Sequence, residues 1–308
     1  MRSSIFCFLM VISGYGGVNA GVVAGSDLAF TSMLVLSPDF AAANYTIENE
    51  EIVGDVDVDI AVTRLPFLVD LKKTAKTQLQ LEIALAYLRT KEVIPIPVLP
   101  GETVTSRFVT YGAGLGLLYK HALTDRLQFA PSLRLGITNI TNSASFSSGA
   151  PPEEANEAKA ELELTSKASV LNLGLGLVYN WELGGRPSSI QADVFHTVVD
   201  SFGETGNAPK FTESANMLAV RADMVFPTEW AINGGYLDYV LLAGSNHFFG
   251  DNRDALGYTT SYQAGIGAEI PLKWHQEQHG YLRFSGEVIF GDGIDGWLLS
   301  ASYTPLSK

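Results

Sequence analysis

The feature that most constrains this chain is a residue-by-residue alternation that returns along its length. Val109, Tyr111, Ala113, Leu115, Leu117 and Tyr119 share one parity, while Thr110, Gly112, Gly114 and Gly116 take the other. Leu171, Leu173, Leu175, Leu177 and Tyr179 repeat the arrangement opposite Asn172, Gly174 and Gly176. Tyr262, Ala264, Ile266, Ala268 and Ile270 repeat it again opposite Gln263, Gly265, Gly267 and Glu269. A period of two belongs to a β-strand, whose successive side chains point to opposite faces. In a soluble sandwich the inner face needs bulky residues from both sheets, and the outer face has no reason to be glycine. A smooth Leu/Tyr face opposite a small polar one fits lipid on one side and a crowded lumen on the other.

The connections sort into two alternating classes. Short links fall at residues 72–76, 120–125, 182–188, 227–230 and 273–279; long or acidic ones fall at 90–102, 142–159, 200–214, 244–257 and 291–296. Outer-membrane barrels have short periplasmic turns and longer external loops. Tyr119, Tyr179, Trp181, Phe226, Trp230, Trp274 and Tyr303 gather beside the short links, as an interfacial girdle would. The expected fold is therefore all-β, a transmembrane antiparallel up-and-down β-barrel. Eleven strands are clear between residues 55 and 304. An even count with both chain ends in the periplasm requires one more. Residues 27–36 (DLAFTSMLVL) are its expected place, followed by an acidic external loop through Gly54, for twelve strands in all. The mixed periodicity of that stretch leaves a helix inside the pore as the alternative.

The N-terminus reads as an export signal. Arg2 precedes an apolar run, IFCFLMVI at residues 5–12, and Val18-Asn19-Ala20 supplies small residues for cleavage. Residues 1–20 are expected to be a signal peptide and residues 21–308 one barrel domain; an N-terminal anchor helix is the alternative, disfavoured by its length. The single cysteine, Cys7, lies inside the signal, so no disulfide or thiolate metal site is expected afterwards. Asp and Glu number 33 against 20 Lys and Arg, which argues against nucleic acid as a partner. No cofactor is expected.

With the small polar face inward, Asp57, Asp59, Glu82, Asp193, Asp223, Asp238, Glu269 and Glu287 should line the lumen, offset by Arg134, Arg221 and Arg283. Buried charges need partners, so these should form an internal network, and any acidic surplus would favour cations if water passed. Gly114, Gly116, Gly174, Gly176, Gly265 and Gly267 should form a belt in the periplasmic half, serving strand curvature or making room for a plug such as residues 21–26. A serine mechanism needs a base within reach of its nucleophile. Only His196 near Asp200 and Ser201, and Ser245 near His247, come close in sequence, and neighbouring side chains on an extended segment diverge. His275 and His279 flank Glu277 in a turn, where helical spacing has no meaning. Glu48, Glu50, Glu51 and Asp55, and Glu153, Glu154 and Glu157, make external acidic segments able to hold divalent cations between lipopolysaccharide phosphates, or simply to face solvent.

The strands YGAGLGLLY (111–119), LNLGLGLVYNW (171–181) and YQAGIGAEIPL (262–272), with the closing GWLLSASY (296–303), resemble the β-domain of autotransporters. The whole chain after the signal is similar to the solitary autotransporter-like outer-membrane barrels. That resemblance implies a Gram-negative outer membrane, insertion by the barrel-assembly machinery, and contact with outer-membrane lipid and lipopolysaccharide. Two departures limit it. Few residues separate the signal from the first strand, so passenger secretion is not carried over, and residues 304–308 follow the closing aromatic Tyr303. The expected role is a structural barrel or a narrow passive pore; a lipid-modifying enzyme, or a surface-binding barrel acting through its loops, is the alternative. Oligomeric state is not legible.

Overall fold

A computed structural model describes residues 42–49, 56–95, 102–147, 163–205, 210–233, 235–250, 259–274 and 277–305. Within them run twelve strands: β1 Ala42–Asn49, β2 Val56–Lys73, β3 Thr77–Pro95, β4 Thr103–Ala122, β5 Leu127–Phe146 and β6 Leu164–Leu183, then β7 Arg186–Thr205, β8 Thr212–Ile232, β9 Gly235–Phe249, β10 Thr260–Trp274, β11 Glu277–Gly291 and β12 Ile294–Pro305. Each pairs antiparallel with the next, and β1 closes onto β12 to complete a barrel. The all-β transmembrane architecture and the count of twelve agree with the alternation. The first strand does not sit where it was expected. β1 occupies part of the segment read as an acidic loop, because AANYTIEN carries its own alternation, with Tyr45 and Ile47 opposite Asn44 and Thr46. Residues 27–36 lie outside the described residues.

The turns follow local backbone chemistry. β6 and β7 are joined by Gly184 and Gly185, with φ of 58° and 77°, the left-handed pair that a tight hairpin needs. Between β8 and β9 the turn is not at residues 227–230 but at Asn233, whose φ is 54°. Asparagine tolerates that conformation and Pro227 does not supply it. Pro227 instead marks a register shift inside β8, where its missing N–H interrupts the ladder with β9. β7 and β9 also continue into segments read as long loops, reaching Thr205 and Phe249.

The outer wall is apolar and open. Leu115 is 57% exposed, Leu175 61% and Ile266 70%. A continuous apolar belt of this kind is a lipid-facing band rather than a surface left to water. Aromatic pairs border it at both ends. Tyr179 stacks on Trp181 at 6.1 Å and Phe226 on Tyr239 at 4.9 Å beside the short turns. Near the long loops, Tyr87 meets Tyr111 at 5.3 Å and Tyr262 meets Phe290 at 5.8 Å. This second girdle escaped the sequence reading.

Candidate functional site

The lumen gathers the chain's internal charges. Glu82, Arg134, Asp193, Arg221, Asp223, Glu269, Arg283 and Glu287 all take the inward parity of their strands, alternating with lipid-facing neighbours such as Ile83, Leu135, Val194, Phe284 and Val288. Asp238 joins them. Asp59 does not: it is exposed, whereas Val58, Ile60 and Val62 on the opposite parity are buried. Asp57 has its side chain outside the described residues. The reason for the inversion is position. Above the lipid band the outer wall meets water, so polar residues there face out and apolar ones can turn inward.

Two ion clusters organise the interior. In the first, Glu82 on β3 bonds Arg64 of β2 through one carboxylate oxygen and accepts from Arg134 Nε of β5 at 2.9 Å through the other. Arg134 Nη1 donates to Ser132 Oγ at 3.1 Å and to Asn172 Oδ1 at 3.5 Å, and Asn172 Nδ2 donates to Thr197 Oγ1 at 2.7 Å. The chain of contacts thus runs from β2 to β7. In the second cluster, Arg283 of β11 pairs with Glu269 of β10 at 2.7 Å and with Asp223 of β8. Arg186 of β7 reaches Asp238 of β9 at 2.7 Å, and Arg221 Nη2 of β8 donates to Gln263 Oε1 of β10 at 3.3 Å. Arg64, the partner that completes the first cluster, was missed because parity was counted from Asp57 and Asp59.

The glycine belt explains how these arms fit. Gly116 pairs with Glu82 on one side and Arg134 on the other, and a Cβ there would stand 3.0 Å from Arg134 Cγ and 3.3 Å from Glu82 Cβ. A Cβ on Gly174 would meet Ser132 Oγ at 2.3 Å, and one on Gly176 would meet Asp193 Oδ1 at 2.1 Å. On β10, a Cβ on Gly265 would meet Glu287 Cγ at 2.4 Å, and one on Gly267 would meet the Phe284 carbonyl oxygen at 2.7 Å. The room that the sequence reading offered to a plug is taken at these positions by neighbouring strands. Gly114 borders a cavity of about 10 Å³ beside Arg64, Glu82 and Asn172, roughly the space of one water.

No serine–histidine pair forms at the positions singled out. His196 Nδ1 lies 2.9 Å from Asn216 Oδ1, Asp200 Oδ1 accepts from Thr212 Oγ1 at 2.5 Å, and Ser201 Oγ accepts from Phe211 N at 3.0 Å. His247 Nδ1 lies 2.8 Å from Thr260 Oγ1. These residues sit on strands rather than loops, which fixes their side chains apart. Among the described residues no three His, Cys, Asp or Glu side chains gather as metal ligands. His275, the side chains of Glu277 and His279, and those of the external acidic residues lie outside the described ones.

Solved structures of similar shape include autotransporter barrels. The transport unit of AIDA-I from Escherichia coli has a TM-score of 0.56 at 10% identity, over 91% of this chain and 96% of that one. The β-domain of the Bordetella autotransporter Brka gives 0.52 at 15% identity, over 85% and 96%. The translocator domain of NalP from Neisseria meningitidis gives 0.52 at 12%, over 84% and 83%. These likenesses concern the fold. A comparison with curated protein sequences finds no match. The family model described as the solitary outer membrane autotransporter β-barrel domain matches residues 44–277, from β1 into β11. The barrel, its lipid-facing band and this match agree: the chain belongs to the family of solitary outer-membrane autotransporter β-barrel domains, proteins of the Gram-negative outer membrane.

Proposed function

We propose that this protein is a closed, structural barrel of the outer membrane rather than an open channel or an enzyme. The observation that carries the reading is the burial of its inward-facing apolar residues. Ile60, Leu88, Ile140, Val199 and Val240 are each 0% exposed, whereas the lining of a water-filled pore is wetted. The Arg64–Glu82–Arg134 chain braces the same wall from within. Export through residues 1–20 and insertion by the barrel-assembly machinery complete the proposal. They are supported by the signal-like N-terminus and by the outward register of Leu299, Ala301 and Tyr303 on the closing strand.

Planar-bilayer conductance tests the reading. The intact refolded protein is compared with a variant lacking residues 21–41, a deletion that leaves β1 in place, after heat-modifiable gel migration has established that both are folded. Absence of current steps in the intact protein is the expected result. Steady cation-selective steps would replace this reading with a narrow pore. Steps only in the deletion variant would assign the N-terminal segment the role of closing the lumen.

A further inference from the structure

Above the Tyr87–Tyr111 pair, the outer wall of β3 and β4 turns basic. Arg89 and Lys91 follow Tyr87 on the same strand face, and Arg107 is the direct cross-strand partner of Lys91. Arg89 and Arg107 are exposed and Lys91 is half-buried. Among the described residues none of the three has a carboxylate partner. The nearest acid in the register is Asp59, opposite Lys91 on β2, and it accepts the Thr46 hydroxyl at 3.4 Å. Three cations and one anion leave this patch two positive charges in excess. Lys167 on β6 extends it along the row Tyr87–Tyr111–Asn139–Lys167.

Two features set the patch apart from an ordinary solvated rim. Like charges placed directly opposite in an antiparallel pair repel, yet Lys91 faces Arg107 in a chain of net charge −13 with carboxylates to spare. Among the described strand residues of this end, the outward basic side chains lie on β3, β4 and β6. The corresponding outward positions on β7, β9 and β12 carry Asp200, His247 and Asp295 instead. The patch lies at the long-loop end, immediately above the lipid band, where the polar head of an outer-leaflet lipid stands.

We propose that Arg89, Lys91, Arg107 and Lys167 form a docking site for the phosphates of lipopolysaccharide, with Tyr87 and Tyr111 at the boundary between its sugars and its acyl chains. An anion between Lys91 and Arg107 turns their repulsion into shared attraction, through charge-assisted hydrogen bonds. Lys167 stands two strands across and four residues along from Arg107, about 16 Å between backbones, so a headgroup with two separated phosphates spans the patch where a single phosphodiester does not. The site is on the outer wall and does not depend on whether the lumen conducts.

The test uses the intact refolded protein in detergent, with binding followed by native mass spectrometry and by the temperature at which the folded gel band is lost. Probes are bis-phosphorylated lipid A, its dephosphorylated form, dioleoylphosphatidylglycerol and inorganic phosphate. Bis-phosphorylated lipid A should bind at least about tenfold more tightly than dephosphorylated lipid A or phosphatidylglycerol, and the variant R89Q/K91Q/R107Q should lose that preference. Arg107→Gln alone, which removes the repulsion and keeps Asp59 opposite Lys91, should raise the lipid-free unfolding temperature while shrinking the rise that lipid A produces. That single variant carries the test if the triple one does not fold. Unchanged lipid A affinity in the folded variants would overturn the proposal. So would equal binding of phosphatidylglycerol, or displacement of lipid A by millimolar inorganic phosphate.

Discussion

The two interior ion clusters solve the same problem with opposite stoichiometry. Around Glu82 two arginines share one carboxylate, with Arg64 and Glu82 side chains only 4% and 5% exposed. Around Arg283 two carboxylates share one guanidinium, with Asp223 33% and Glu269 11% exposed. The first cluster is left with one positive charge in excess and the second with one negative. Water reaches Asp223 in the second cluster, whereas the Arg64–Glu82 pair at the heart of the first is shut away from it. Burial, more than bond count, therefore sets how much each centre holds together.

That contrast can be broken by substitution. Glu82→Ala removes the carboxylate shared by Arg64, 4% exposed, and Arg134, 14% exposed, and should cost about 3–5 kcal/mol. Arg283→Met leaves Asp223, which water can reach, beside the more enclosed Glu269, and should cost about 2 kcal/mol. Both are read as the urea midpoint of tryptophan fluorescence for the barrel in lipid vesicles, and equal losses would refute the burial argument. The glycines should reverse the order. Gly265→Ala drives a Cβ against the Gly286 carbonyl oxygen, which the ladder holds in place, for about 1–3 kcal/mol. Gly116→Ala meets the flexible arm of Arg134 and should cost less than about 1 kcal/mol. A larger loss at Gly116 than at Gly265 would mean that the first cluster is the stiffer surface against close approach as well.

The sequence made the strands legible because lipid imposes a one-sided rule. Within the membrane band every outward residue must be apolar, so Leu115, Leu175 and Ile266 announce their face and place Arg134, Asp193, Glu269 and Arg283 on the other. The rule lapses at the band's upper edge, where outside means water. There Asp59, Arg89, Lys91 and Arg107 face out and Val58, Ile60 and Leu88 face in. Extending the membrane rule past that edge put Asp59 inside and hid Arg64. β1 was misplaced for a related cause, since Glu48 reads as loop only if strands are assumed to end at the membrane. The Asn233 turn was legible in its Asn-Gly pair and lost to the more conspicuous Pro227.

Several of the interior bonds skip a strand, and this has a mechanical consequence. Arg134 joins β5 to β3 over β4, Arg221 joins β8 to β10 over β9, and Arg186 joins β7 to β9 over β8. Each spanned strand is a slat held beneath a crossbar, and at Gly116 the clearance leaves no room for a large side chain. If β4 slid by one residue, Leu115 or Leu117 would arrive under the Arg134 crossbar in place of Gly116. The same slip in β6 would drive Leu175 or Leu177 into Asp193. The crossbars act as a ratchet pawl on the sheet, so a barrel inserted in the wrong register cannot lock, and one in the right register cannot creep.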